Sequence, residues 1–199
     1  MAVETGTYGD GITWSLDLDT KVLTISGTGA MPDDPEGTEK ALLDWRMSIG
    51  YIESIVINPG ITHIGSYMCS DLKPTSVTIP DTVTSIGDYA FFGSKFESVT
   101  IPDSVTSIGS YAFSQSQSLI TVTIGSGVTS IGSCAFYMCH SVQTITFKGP
   151  QPTFEYTGTF LKTYHNFALG STSVDVTATI YSAGGWGSDD VFTGGAYKV

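Results

Sequence analysis

The chain has 199 residues, 41% of them hydrophobic and 12% aromatic, enough to bury a core of one domain, so wholesale disorder is excluded. Eight Lys and Arg against nineteen Asp and Glu give a net charge of −11. That balance excludes nucleic acid as a partner, because binding it rests on Lys and Arg neutralising phosphates, and no basic cluster occurs anywhere in the chain.

No run of about 18 apolar residues is present to span a bilayer, so membrane insertion is not expected. The opening MAVETGTYGDG is neither basic nor apolar enough to be a signal peptide. For an exported chain, the expectation is a leader lying upstream of this sequence. Cys69, Cys134 and Cys139 are too few, and odd in number, for a disulfide scaffold. They do not decide the redox compartment.

Taken in chain order, residues 1–52 read as an amino-terminal cap. The stretches TWSL (13–16) and VLTI (22–25) both alternate apolar with polar around the turn DLDTK, a hairpin signal. Residues 38–50 (TEKALLDWRMSIG) combine helix formers with apolar Leu42, Leu43, Trp45 and Ile49, which predicts one short helix.

Residues 53–147 are repetitive. The pairs Ile64-Gly65, Ile86-Gly87, Ile108-Gly109 and Ile131-Gly132 recur at intervals of 22, 22 and 23. In step with them come SIVI at 54, SVTI at 76 and 98, TVTI at 121 and TITF at 144, giving four repeats and the first strand of a fifth. Self-similarity at this period is the signature of a solenoid, in which each coil buries its apolar residues only against its neighbours.

Each column has a physical reading. Alternation in SVTI predicts a strand with one buried face: Ile55, Val77, Val99, Val122 and Ile145, then Ile57, Ile79, Ile101, Ile124 and Phe147. A turn built on Pro or Gly follows (NPG, PD, PD, GSG). The next extended piece places Ile61, Val83, Val105 and Val128 inward, then Ile64, Ile86, Ile108 and Ile131. The Gly after each Ile suits either a positive backbone angle or close packing. Ala90-Phe91, Ala112-Phe113 and Ala135-Phe136 set a small residue beside a large one. The first repeat has Met68-Cys69 there, which puts Cys69 in a core aromatic column as a small buried hydrophobe. Cys134 stands in the Tyr67, Tyr89, Tyr111 column, and Cys139 matches Ser94 and Ser116.

Residues 148–199 read as a degenerate repeat and a carboxy-terminal cap. KGPQPTFEYTGTF keeps one degraded coil around Phe154 and Phe160, and SVDVTATIYS alternates Val174, Val176, Ala178 and Ile180 as a closing strand.

The pattern LxxVTIPxxVTSIGxxAF resembles the bacterial leucine-rich repeats of the BspA type. AFYMCHSVQTITF (135–147) matches that family's habit of a Cys three residues after the Phe, which implies a packing role for Cys139. GITWSLDLDTKVLTISGTGAMPD, DWRMSIGYIESIVINPGITHIG and VTATIYSAGGWGSDD followed by YKV resemble the ends of such proteins, so the resemblance covers nearly the whole chain. It implies a right-handed leucine-rich-repeat solenoid, β-rich, of stacked parallel short strands. It further implies an amino-terminal hairpin cap with a short helix and a carboxy-terminal strand cap, all in one structural domain.

A search for chemistry in the residues nominates little. His63 replaces Ser in TSIG and is expected to face solvent from the turn. Cys139 and His140 are neighbours pointing different ways, without the orienting group a Cys–His nucleophile needs. Cys134, Cys139 and His140 match no standard zinc spacing, so no metal or cofactor is expected. Asp17/Asp19, Asp33-Asp34 and Asp189-Asp190 lack a calcium-loop pattern and read as turn and solubility residues. No GxSxG, phosphate loop or dinucleotide fingerprint is present. A glycosidase needs two carboxylates about 5 to 10 Å apart, and most acids here lie in turns; no catalytic residue is assigned.

What remains is surface. Thr78, Thr100, Thr123 and Thr146, with Val56 before them, form the outward column of the main strand, flanked by Ser54, Ser76, Ser98, Thr121 and Thr144. This column either keeps the face soluble, as Thr does in strands, or serves as a shallow binding face of the kind solenoids use. Tyr67, Tyr89 and Tyr111 form a second stripe, either a contact ladder or half-buried packing. Trp186, in GGWGSDD, is the candidate exposed anchor.

The resemblance implies a non-enzymatic, secreted or cell-surface bacterial protein mediating protein–protein interaction or adhesion with extracellular or host proteins. Two rival readings are a structural spacer presenting another domain and an unrecognised hydrolase. Oligomeric state is left open.

Overall fold

The structure, a computed structural model, describes residues 2–8, 10–33, 52–150, 152–154 and 179–182. Among these residues there are fifteen strands and no helix. The expected helix over 38–50, Phe160, His165, Val174, Val176, Ala178, Trp186 and Asp189-Asp190 lie outside the described residues.

Each repeat contributes one longer and one shorter strand, and both kinds stack in parallel from coil to coil. The longer strands are β5 (Ser54–Ile57), β7 (Ser76–Thr78), β9 (Ser98–Ile101), β11 (Thr121–Ile124), β13 (Thr144–Phe147) and β15 (Thr179–Ser182). Registers match the repeat columns: Val99 and Ile145 flank Val122, and Thr100 and Thr146 flank Thr123. The hydrogen-bonded ladder breaks between β7 and β9, which still lie side by side. At this break Val77 and Ile79 pack against the core but stay half-exposed, whereas Val99, Val122 and Ile145 are buried.

The shorter strands make the second ladder: β4 (Gly29–Ala30), β6 (Ile61–Ile64), β8 (Ser85–Ile86), β10 (Ser107–Ile108), β12 (Ser130–Ile131) and β14 (Thr153–Phe154). Between the ladders runs the core: Ile55, Ile57, Ile64, Ile101, Val105, Ile108, Ile124 and Ile131 are all at most 2% exposed. Phe91, Phe113 and Phe136 stack through it with ring centroids 5.3 and 5.2 Å apart. Cys69 continues that column, buried and free of any disulfide.

The amino-terminal segment is built into the solenoid. β1 (Val3–Thr7), β2 (Ile12–Asp17) and β3 (Val22–Gly27) form a meander in which each strand is antiparallel to the next. The turn joining β2 to β3 is held by Asp17 Oδ1, which accepts the amides of Asp19 and Thr20. β3 then pairs in parallel with β5, setting Leu23 beside Ile55 and Ile25 beside Ile57, while β4 pairs with β6. Residues 22–31 thus form a coil ahead of the first recognisable repeat. Beyond β3 the antiparallel strands end the stack with the short, largely exposed edge VETGT, as an open ladder requires.

The repeat glycines act through close packing rather than through a positive backbone angle. A Cβ on Gly87 meets the Ser66 amide nitrogen at 2.5 Å, and one on Gly109 meets that of Asp88 at 2.6 Å. The left-handed residues stand two positions later, at Tyr67, Tyr89, Tyr111 and Cys134, with φ between 55° and 60°. Four residues further on, a second left-handed column holds Asp71, Gly93, Gln115 and Met138.

Candidate interaction surface

On the outer face of the longer strands, Thr78 and Thr100 are exposed and Thr123, Thr146 and Val56 half-buried. In-register parallel strands stand about 4.8 Å apart, so Thr100, Thr123 and Thr146 form one straight column beside Ser98, Thr121 and Thr144, and Val56 and Thr78 a second beside Ser54 and Ser76. Ser76 Oγ donates to Ser54 Oγ at 2.9 Å. The hydroxyls of Thr78, Thr100, Thr123 and Thr146 make no intramolecular hydrogen bond among the described residues.

The hydroxyls of the second ladder behave differently. Thr84 Oγ1 donates to the Thr62 carbonyl, Thr106 Oγ1 to that of Thr84 and Thr129 Oγ1 to that of Thr106, at 2.9 to 3.1 Å. Each hydroxyl here ties its coil to the one before. A further column follows the Ile-Gly pairs. Ser66 donates both its amide and its hydroxyl to Asp33 Oδ1 at 2.7 Å, the Asp88 amide donates to Ser66 Oγ, and the Ser110 amide to Asp88 Oδ1. From sequence, Asp33 reads as a turn and solubility residue, whereas here it ends a chain of hydrogen bonds between coils. The missed signal was the alternation Asp33, Ser66, Asp88, Ser110 of side chains able to accept an amide hydrogen.

His63 corrects an expectation. It lies within β6, half-buried rather than facing solvent from a turn, with Nδ1 2.7 Å from Ser85 Oγ and Nε2 3.2 Å from Asp33 Oδ1. The cause is Asp33, whose carboxylate ends the cap coil directly above it. Burial works to raise the Asp33 pKa, but the Ser66 hydroxyl and amide together with His63 outweigh it and hold the carboxyl below the usual carboxylate range.

Tyr67, Tyr89 and Tyr111 stack face to face, with centroids 4.7 and 4.8 Å apart and planes within 9° and 12° of parallel. All three are half-buried. Their inner faces cover one another, so the stripe offers ring edges and hydroxyls to a ligand rather than open π faces. Tyr111 is pushed up to about 12 by its hydrogen bond with the Cys134 side chain and then by burial. Tyr89 is raised by burial and by Tyr67, Asp88 and Cys134 beside it.

Cys139 is buried, with Sγ 3.2 Å from the Phe113 carbonyl, and burial pushes its thiol up to about 12. Cys134 and Cys139 are both free thiols. Among the described residues no group of three or more His, Cys, Asp or Glu is placed to hold a metal ion. Among the described residues there is no helix long and apolar enough to cross a membrane.

Comparison with known proteins bears on this arrangement. No curated protein matches the chain. Among solved structures it is similar to a leucine-rich repeat protein from Eubacterium ventriosum, at 21% identity over 75% of this chain and 73% of that one, with a TM-score of 0.47. It is also similar to a leucine-rich repeat protein of T. pallidum (19%, 70% of each chain, TM-score 0.47). A third is a leucine-rich cell surface protein from Faecalibacterium prausnitzii (16%, 73% and 70%, TM-score 0.41). The family model for the BspA type leucine-rich repeat region matches six copies across residues 47–163. Two more copies are thus recognised than the four complete repeats legible from the Ile-Gly spacing. With the stacked parallel ladders and their repeat columns, that match establishes that the chain belongs to the BspA-type leucine-rich-repeat family.

Proposed function

We propose that this chain is a non-enzymatic, secreted or cell-surface bacterial protein that binds a partner protein through the outer face of its longer strands. The observation that carries the reading is the contrast between hydroxyl columns. Those of Thr84, Thr106 and Thr129 are committed to neighbouring coils, whereas those of Thr78, Thr100, Thr123 and Thr146 are left for an external partner. Small side chains in a straight column let a partner's backbone approach closely, and solenoids bind through extended surfaces of this kind. The half-buried tyrosine stack supplies a second stripe on the same coils, and Trp186 is proposed from its Gly-rich sequence context as an anchor.

A screen of the immobilised chain against extracellular matrix and host-surface proteins tests the reading. A partner is expected whose binding is lost in the double variant Thr100→Lys, Thr123→Lys while the circular dichroism spectrum is unchanged. An empty screen, or binding that survives the double variant, overturns it.

A further inference from the structure

The geometry points to a binding site for an acidic saccharide, separate from the strand face, in a polar groove along the turns that precede the longer strands. The groove has a volume of about 350 Å³ and is lined by Asp71, Lys73, Gly93, Lys95, Gln115 and Gln117 together with flanking serines.

Its shape comes from one departure in a repeat column. The second left-handed column holds Asp71, Gly93, Gln115 and Met138. Three carry side chains and one does not, so the coil of Gly93 leaves a notch between Asp71 and Gln115. A Cβ on Gly93 would stand 3.2 Å from Asp71 Oδ1.

The lining has an unusual charge for this chain. Against a net charge of −11, the groove gathers two lysines and one aspartate. Neither Lys73 nor Lys95 forms an ion pair among the described residues, whereas Lys21 pairs with Glu53 and Lys148 with Asp103. Two unpaired ammonium groups in adjacent coils suit one carboxylate held between them. Asp71 accepts hydrogen bonds, and the amides of Gln115 and Gln117 both donate and accept. That combination fits a carboxylate surrounded by hydroxyls.

The backbone separates a saccharide from an extended peptide. The Asp71 amide donates to the Phe92 carbonyl, that of Gly93 to Ser114, that of Gln115 to Tyr137 and that of Lys95 to Pro74, at 2.7 to 2.9 Å. Those four amides are committed along the solenoid axis and are not open to pairing with an added peptide strand. Recognition falls to side chains, which suits the scattered hydroxyls of a sugar acid.

The test titrates the intact chain, at low salt, with a galacturonic-acid trisaccharide, a neutral galactose trisaccharide and a tri-aspartate peptide, read by amide chemical shifts and calorimetry. The acidic trisaccharide is expected to shift the Gly93 and Lys95 amides and to bind at least about tenfold more tightly than either control, the scale of a lost charge-assisted contact. Lys73→Gln with Lys95→Gln is expected to abolish that preference. Gly93→Asn is expected to fill the notch and block binding, because Asn tolerates a left-handed backbone. The double variant Thr100→Lys, Thr123→Lys is expected to leave sugar binding intact, so failure of this site and failure of the strand-face reading are separable. No shift with the acidic trisaccharide, equal binding of either control, or binding retained in the double Gln variant overturns the proposal.

Discussion

Truncating Phe113 to alanine tests the assignment of inward and outward columns most directly. Phe113 is fully buried, stacked between Phe91 at 5.3 Å and Phe136 at 5.2 Å. Removing the ring empties roughly 100 Å³, which at about 24 cal/mol per Å³ costs about 2.4 kcal/mol, on top of about 2 kcal/mol for the lost transfer of the ring from water. Collapse into the gap is restrained, because the Phe91 amide donates to the Ala112 carbonyl and the Phe113 amide to that of Ala135, pinning successive coils at their spacing. The expected loss is therefore about 4 kcal/mol, close to the ceiling for buried aromatics. Thr100, on the exposed face of the same coil and without an intramolecular side-chain bond among the described residues, should cost below about 1 kcal/mol when changed to alanine. Guanidinium unfolding followed by circular dichroism, with the slope of the transition compared between variants, gives both values. A cost for Phe113→Ala under about 1.5 kcal/mol, or one matched by Thr100→Ala, refutes the core assignment.

Asp33→Asn should destabilise the chain at neutral pH. Because the folded Asp33 carboxyl is held below its ordinary value of 3.8, its contribution is present above that pH and fades as pH falls through the lowered value; acid unfolding of the two proteins should converge there. Gly87→Ala drives a methyl against the Ser66 amide and the Gly65 carbonyl carbon, and should cost about 1–3 kcal/mol in the same unfolding assay. Ser116 is fully buried and its hydroxyl has no partner among the described residues, so Ser116→Ala should be neutral or raise the melting temperature, since it removes an unsatisfied polar group. Thiol titration of the native chain should find Cys134, which is half-buried, reacting before the buried Cys69 and Cys139, whereas all three should react alike in denaturant.

The repeat columns were legible because a solenoid converts sequence period directly into spatial register. Val99, Val122 and Ile145 align in the chain, and the same three residues align across β9, β11 and β13. The candidate surface was legible to the same extent: the alternation that buries Val99 sets Thr100 outward. Three features stayed hidden because they depend on what the neighbouring coil offers. The Ile-Gly motif allowed either a positive backbone angle or close packing, and only the approach of the preceding coil's backbone decided for packing. His63 read as a solvated turn residue until the cap coil brought Asp33, thirty positions earlier, against it. The groove at Gly93 was hidden for the same reason, since a missing side chain becomes a notch only when Asp71 and Gln115 stand on either side.

Sequence by itself determined the coil, its period and which side chains it buries, because apolar alternation and a 22-residue repeat admit one way of stacking. Tertiary structure decided which hydroxyls are spent inside the solenoid and which remain for a partner. Thr100 and Thr106 are the same residue type in the same repeat unit, yet only Thr106 reaches a carbonyl of the coil beside it. Hydrogen-bond satisfaction is a property of distance between coils, and no residue carries that distance in its own identity.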